Sequence, residues 1–154
     1  MARPAGELHA GETPEVGMVL VDSDTRELRV SSEFRLGHTV RAFVREAAEE
    51  CDLGTQAVAD LMLAVTEIFN NAVEHAHRFE AHREVLIRVH RRQGALQVDI
   101  TDQGPGFTPL ETSSPASFFI KQRGLGLFLA RQLVDEIRFS HGAGTTVHLV
   151  KIAC

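Results

Sequence analysis

The chain has little of what staples, anchors or charges a specialised small protein. Only two of its 154 residues are cysteine, Cys51 and Cys154, and neither lies in a CxxC pair. No disulfide framework or zinc site can therefore be read, and the usage fits a reducing compartment. No apolar run approaches the roughly 18 residues of a membrane helix. The polar stretch Met1 to Thr13 lacks the basic start and apolar run of a secretory signal. The expectation is a cytoplasmic protein with no membrane association. Positive charge is also scarce: Lys+Arg 16 against Asp+Glu 21 gives a net charge of −5, the opposite of a duplex binder, so direct contact with nucleic acid is not expected. The loop GxxxxGK[ST] is missing, as are HRD and DFG, which removes P-loop and eukaryotic-type kinase chemistry.

What is present is an ordinary globular composition, 44% hydrophobic and 24% charged. Disorder is excluded for the chain as a whole, and the length suits one domain with a sizeable core. Residues 1–15 read as a flexible tail and residues 16–154 as a single domain. Met18 to Val21 reads as a short apolar strand, and Glu27 to Ser31 as a second strand at a sheet edge. Val40, Phe43, Val44 and Ala47 recur at helical spacing, which predicts a helix from Gly37 to Cys51. Thr55 is placed as the N-cap of a second helix running to about His77, with Leu61, Met62, Val65, Ile68, Phe69 and Ala72 on its apolar face.

Period-two alternation then predicts strands over Glu84–Arg91 and Leu96–Ile100, joined by a turn at Gln93-Gly94. Gln103 to Arg123 has no periodicity and reads as a long functional loop. A third helix is expected from Gly124 to about Ile137. A strand near Arg138–Ser140, a turn at Gly142-Ala143-Gly144 and a strand over Thr145–Ile152 complete the chain. Such alternation suggests a sheet with helices on one face.

Four segments carry chemistry. Glu67, Asn71 and His75 lie at i, i+4 and i+8, one stripe on a packed helix. A carboxylate there can take a proton from an attacking hydroxyl, and an amide oxygen can hold Mg²⁺ that takes its other ligands from phosphates. Asp102-Gln103-Gly104-Pro105-Gly106 ends a strand, and an ionised Asp can accept a hydrogen bond from an exocyclic amine. Arg123-Gly124-Leu125-Gly126-Leu127 opens a helix whose first amides suit a phosphate, with Lys121 close by. Gly144-Thr145-Thr146 enters the last strand. Each alone has a plain structural reading: a solvated helix face, a turn, a packing glycine, a strand former. His75-Ala76-His77 is a poor metal pair, because i, i+2 spacing points two helical side chains to different faces. His77 reads instead as a helix-end residue suited to a partly cationic imidazole.

Taken in this order and spacing, the segments resemble the GHKL (Bergerat-fold) ATP-binding domain. The N-box is matched by Glu67 to Ala72, the G1 box by Asp102 to Gly106, and the G2 box by Gly124 to Gly126. Roughly residues 30–152 are covered. Within that superfamily the chain is most similar to the small bacterial anti-sigma-factor serine kinases.

The resemblance implies an α+β fold, a two-layer α/β sandwich with a mixed, mostly antiparallel sheet and helices on one face. It implies ATP and Mg²⁺ as cofactors, with Asn71 as the metal ligand and Asp102 on the adenine amino group. Gly104 and Gly106 would pass close to the nucleotide, and Gly124, Leu125 and Gly126 would offer amides to the phosphates. Thr145 would lie near the adenine, and Lys121 or Arg123 would neutralise the transferred phosphoryl group. Residues 107–123 would form an ATP lid, with Phe118 and Phe119 packed beneath it. Glu67 would act as general base on a serine of a STAS-type antagonist, a sigma factor would be the second partner, and a homodimer is expected. Phe69, where the family commonly has a small residue, is assigned to the core. The residues themselves leave open a nucleotide-gated binding module of the same fold that transfers no phosphate.

Overall fold

The computed structural model describes residues 16–103 and 125–153. Six strands form one sheet: β1 (Val16–Leu20), β2 (Thr25–Ser31), β3 (Glu84–Arg92), β4 (Ala95–Thr101), β5 (Glu136–His141) and β6 (Thr145–Ile152), in the spatial order β1-β2-β3-β4-β6-β5. All five neighbouring pairs are antiparallel. The sheet is therefore wholly antiparallel among the described strands. Alternation along each strand explains its two faces. Val85, Ile87 and Val89 of β3, Val98 and Ile100 of β4, and Val147 and Leu149 of β6 are all buried. They join one core with the apolar faces of three helices, α1 (Gly37–Glu50), α2 (Thr55–Asn71) and α3 (Leu125–Leu133). Phe69 is fully buried in that core, as its sequence context predicts.

Several boundaries differ from the expectations for local reasons. Gly54, in extended geometry, is the N-cap of α2, and Thr55 is its first helical residue; the first turn closes through Val58 N–H to Gly54 O at 2.9 Å. α3 ends at Leu133 rather than near Ile137. Asp135 N–H already bonds Val150 O at 2.9 Å, so sheet pairing claims the segment that could have extended the helix. β2 is not an edge strand. It lies between β1 and β3, and β1 is the edge, with Met18 and Leu20 largely exposed. The β3–β4 turn at Gln93-Gly94 forms as expected, with Gly94 at φ 72°, a backbone position glycine takes without steric cost.

The face of the sheet opposite the helices carries a polar network. Asp99 receives hydrogen bonds from His148 Nδ1 (2.7 Å), His90 Nε2 (2.8 Å) and Gln97 Nε2 (2.9 Å). Burial alone would raise the Asp99 carboxyl; the bonds from Gln97, His148 and His90 outweigh it and hold the group below its ordinary range. Arg88 pairs with Glu27 on the same face.

Candidate functional site

Helix α2 does not simply run on to His77. After Asn71 it widens into a π turn over Ala72–Ala76, closed by His77 N–H to Ala72 O at 2.9 Å. Such turns recur at functional sites because the extra residue re-aims the side chains after it. The re-aiming removes His75 from the expected stripe: it is exposed and lies 3.8 Å from Glu74. His77 takes the interior position instead, at 1% exposure. His77 does end the helix, as its C-cap, but buried there rather than as the partly cationic imidazole expected of a helix end. The Nδ1 edge of His77 bonds Ser32 Oγ at 2.8 Å, and its Nε2 accepts the Gln103 N–H at 2.7 Å. A backbone N–H can only donate, so Nε2 carries a lone pair and this imidazole is neutral, protonated on Nδ1.

Asn71 remains on the inner face of α2, buried, and Glu67 sits one turn earlier at intermediate exposure. Asn71 and Asp102 line a small pocket of about 10 Å³, whose other walls are Ile68, Ala72, Ile100, Leu127 and Val147. Apolar walls with one carboxylate among them are the chemistry that a base would need.

Asp102 follows the last residue of β4, and its carboxylate is set by β6. Asp102 N–H bonds Thr145 O at 2.9 Å, and Thr145 N–H bonds Asp102 Oδ1 at 3.2 Å. Gly144 is required here for space. A Cβ on it would sit 2.8 Å from the Asp102 carbonyl carbon and would overlap the carbonyl oxygen outright. Thr145 is fully buried, and its Oγ1 has no hydrogen-bond partner. A buried hydroxyl without a partner beside a carboxylate is what a base with its own donors and acceptors would complete. The residues present therefore fit an adenine nucleotide.

A Cβ at Gly126 would meet the Glu67 carboxylate, 3.4 Å from Cδ, so glycine lets the second residue of α3 lie against Glu67 without displacing that side chain. Leu125 is the first residue of α3. Asn71, Asp102 and Leu127 of α3 thus line one pocket, Thr145 is hydrogen-bonded to Asp102, and Glu67 lies one helical turn before Asn71, against Gly126. Gly104, Gly106, Lys121, Arg123, Gly124 and the lid segment 107–123, Phe118 and Phe119 included, lie outside the described residues. A single amide oxygen is a sparse ligand set, which suits Mg²⁺ because that ion keeps waters and takes phosphate oxygens. No group of three or more His, Cys, Asp or Glu is placed to hold a metal among the described residues.

Sequence reasoning did not assign Ser32, His77, Gln103 or the spatial need for Gly144. Gly144 carries a signal, since a glycine just before a strand commonly marks a close backbone approach. The other three carry none, because their roles depend on segments that meet only in three dimensions.

The chain is similar to known proteins of one family. The model of the family described as "Histidine kinase-like ATPase domain" matches residues 30–151. The chain is 29% identical over 142 residues to the serine-protein kinase RsbW of Bacillus subtilis (strain 168), spanning 84% of this chain and 86% of that protein. It is 30% identical over 140 residues to the serine-protein kinase RsbW of Bacillus velezensis, spanning 83% and 85%. Among solved structures, that of the RsbU and RsbW domains of Rv1364c from Mycobacterium tuberculosis matches with a TM-score of 0.58 at 27% identity, over 82% of this chain and 32% of that one.

Proposed function

The chain belongs to the histidine kinase-like ATPase domain family and is an ATP-dependent protein-serine kinase, and from that premise we propose that it is an anti-sigma factor acting by partner switching. In this reading it holds a sigma factor until a STAS-type antagonist competes, and it inactivates that antagonist by phosphorylating it. The observation that carries the nucleotide half is the Asp102–Thr145 pair closing an apolar slot, with the Thr145 hydroxyl buried and without a partner.

Asp102 accepts the exocyclic amine of adenine, and Thr145 Oγ1 bonds a ring nitrogen beside it. Ile68, Ile100, Leu127 and Val147, which line the pocket, would supply the apolar surface against the base. The first amides of α3, from Leu125 and Gly126, point to the phosphates, where a helix start favours negative charge. Mg²⁺, held by Asn71, supplies charge neutralisation on the phosphates when bound. Glu67 takes the proton of the acceptor serine as its oxygen bonds the γ-phosphorus and the bond to the β-phosphate oxygen breaks, releasing ADP. Histidine acceptors are themselves nucleophiles and need no such base, so a carboxylate at position 67 favours a hydroxyl acceptor.

The chain pairs as a homodimer through β1, a sheet edge carrying exposed Met18, Val19 and Leu20. No described helix is long and apolar enough to cross a membrane, and we assign the chain to the cytoplasm.

The test is incubation with Mg-ATP and a purified STAS-domain antagonist, followed by intact mass, with Glu67→Ala and Asn71→Ala alongside. One phosphate gained by the antagonist and lost in both variants is the expected result. Tight ATP binding with no transfer to an antagonist that demonstrably binds would replace this reading with a nucleotide-gated binding module.

A further inference from the structure

We propose that His77 is a positioning residue for nucleotide recognition: it sets the backbone on which the base-reading carboxylate of Asp102 is mounted. The inference rests on the adenine-reading role proposed for Asp102.

The direction of a carboxylate one carbon from the main chain follows from φ and ψ of its own residue and from χ1. The peptide unit before Asp102 is held by its N–H on Thr145 O, which fixes φ. The peptide unit after Asp102 carries the Gln103 N–H, and that hydrogen lies on His77 Nε2, with 2.7 Å between the nitrogens, which fixes ψ. His77 therefore supplies one of the two backbone restraints on Asp102, from a different part of the chain. Ser32 Oγ lies 2.8 Å from Nδ1 and orients the ring, accepting from Nδ1–H in the tautomer that the Gln103 N–H requires.

The surroundings are built to keep this arrangement. Gln103 is held at two further positions, its carbonyl oxygen by Arg83 Nη1 at 2.9 Å and its Oε1 by Glu84 N–H at 3.0 Å. The chain returns from His77 to Arg83 through two consecutive non-glycine residues at positive φ, Arg78 (47°) and Phe79 (62°). Left-handed backbone at side-chain-bearing residues persists only where neighbours enforce it. Here Phe79 packs edge-to-face on Phe34 at 5.2 Å, and its N–H bonds Val73 O at 2.9 Å. The π turn, the left-handed pair and the Ser32 contact all serve to deliver one acceptor atom to the peptide beside Asp102.

Removing that acceptor should loosen the reading of the base and little else. The experiment measures binding of ADP and of IDP, whose 6-oxo group replaces the exocyclic amine, to the full chain by calorimetry in the presence of Mg²⁺. His77→Leu, His77→Gln and Ser32→Ala are compared with the wild type, and thermal unfolding is followed for each. The wild type is expected to prefer ADP. In His77→Leu the affinity for ADP should fall about tenfold, as for one lost hydrogen bond to a charged group, while that for IDP stays nearly unchanged, so the preference collapses. His77→Gln, whose amide oxygen can accept and whose amide nitrogen can donate, should restore most of it. Ser32→Ala, which frees the ring, should lower the preference by a smaller factor, and it decides the matter should His77→Leu not fold.

A folded His77→Leu or Ser32→Ala with the wild-type ADP to IDP preference overturns the proposal. So does a parallel loss of both nucleotides, which would make His77 merely structural. A wild type that binds ADP and IDP equally instead refutes the role of Asp102, and the positioning role falls with it.

Discussion

Gly144→Ala is the sharpest available test of how the nucleotide cleft is assembled. The added carbon would stand 2.8 Å from the Asp102 carbonyl carbon and 3.2 Å from Gln103 Cα, with the carbonyl oxygen overlapped. Carbon atoms rest at about 3.5–4.0 Å from one another, so the ends of β4 and β6 must part by roughly 1 Å. The two bonds that join them there span 2.9 Å and 3.2 Å, and both leave hydrogen-bonding range on such a shift. Each is worth about 1–1.5 kcal/mol net, so the fold should lose roughly 2–3 kcal/mol, seen as a fall in Tm of roughly 5–10 °C for a chain of this size. The displaced Asp102 should also miss the exocyclic amine, a loss of roughly tenfold to hundredfold in ADP affinity. Gly142→Ala is the control in the same turn, because a Cβ there meets nothing within 4 Å. Thermal unfolding and calorimetry on the two variants check both numbers. A Gly144→Ala protein with wild-type Tm and affinity, or a Gly142→Ala protein equally damaged, would refute the close-approach argument.

Three further outcomes are expected from the same structure. Glu67→Gln should reduce phosphotransfer to a protein acceptor by roughly 100-fold or more while leaving the affinity for ADP near that of the wild type, measured by intact mass and calorimetry. Phe69→Ala should cost about 3–5 kcal/mol in urea unfolding, since the ring is fully buried between the helices and the sheet. Asp99 is held below its ordinary value of 3.8 in the folded chain, so its contribution to stability is present above that value and is lost as the pH falls through the lower folded value. Asp99→Asn should accordingly flatten the acid limb of the stability–pH curve, and an acid limb identical to that of the wild type would refute this assignment.

Much of the architecture is legible in short segments. Alternation over Glu84–Arg91, Leu96–Ile100 and Thr145–Ile152 locates β3, β4 and β6 closely, because each has one face on the core and a period of two has no other local explanation. The spacing in Gly37–Cys51 locates α1 for the matching reason. Legibility fails where two segments compete for the same residues. Nothing in Val134–Ile137 itself says that pairing with Val150 will end α3, and nothing in Glu27–Ser31 says that a further strand will cover its outer edge.

The site divides in the same way. Glu67, Asn71, Asp102, Gly126 and Thr145 are singled out by type and spacing, because each is visible at its own position in a short local pattern. The residues that aim them are not. Ser32, His77 and Gln103 come from three stretches of chain, and their hydrogen bonds exist only once the π turn has rotated His77 inward and β4 has ended beside it. The sequence by itself determined which groups could do chemistry and which faces would be buried, since both derive from side-chain identity and short-range period. The tertiary structure alone decided how the Asp102 carboxylate is aimed, where two helices start and stop, and which glycine has no room for a methyl. Those are matters of distance between segments remote in sequence, and no local pattern encodes them.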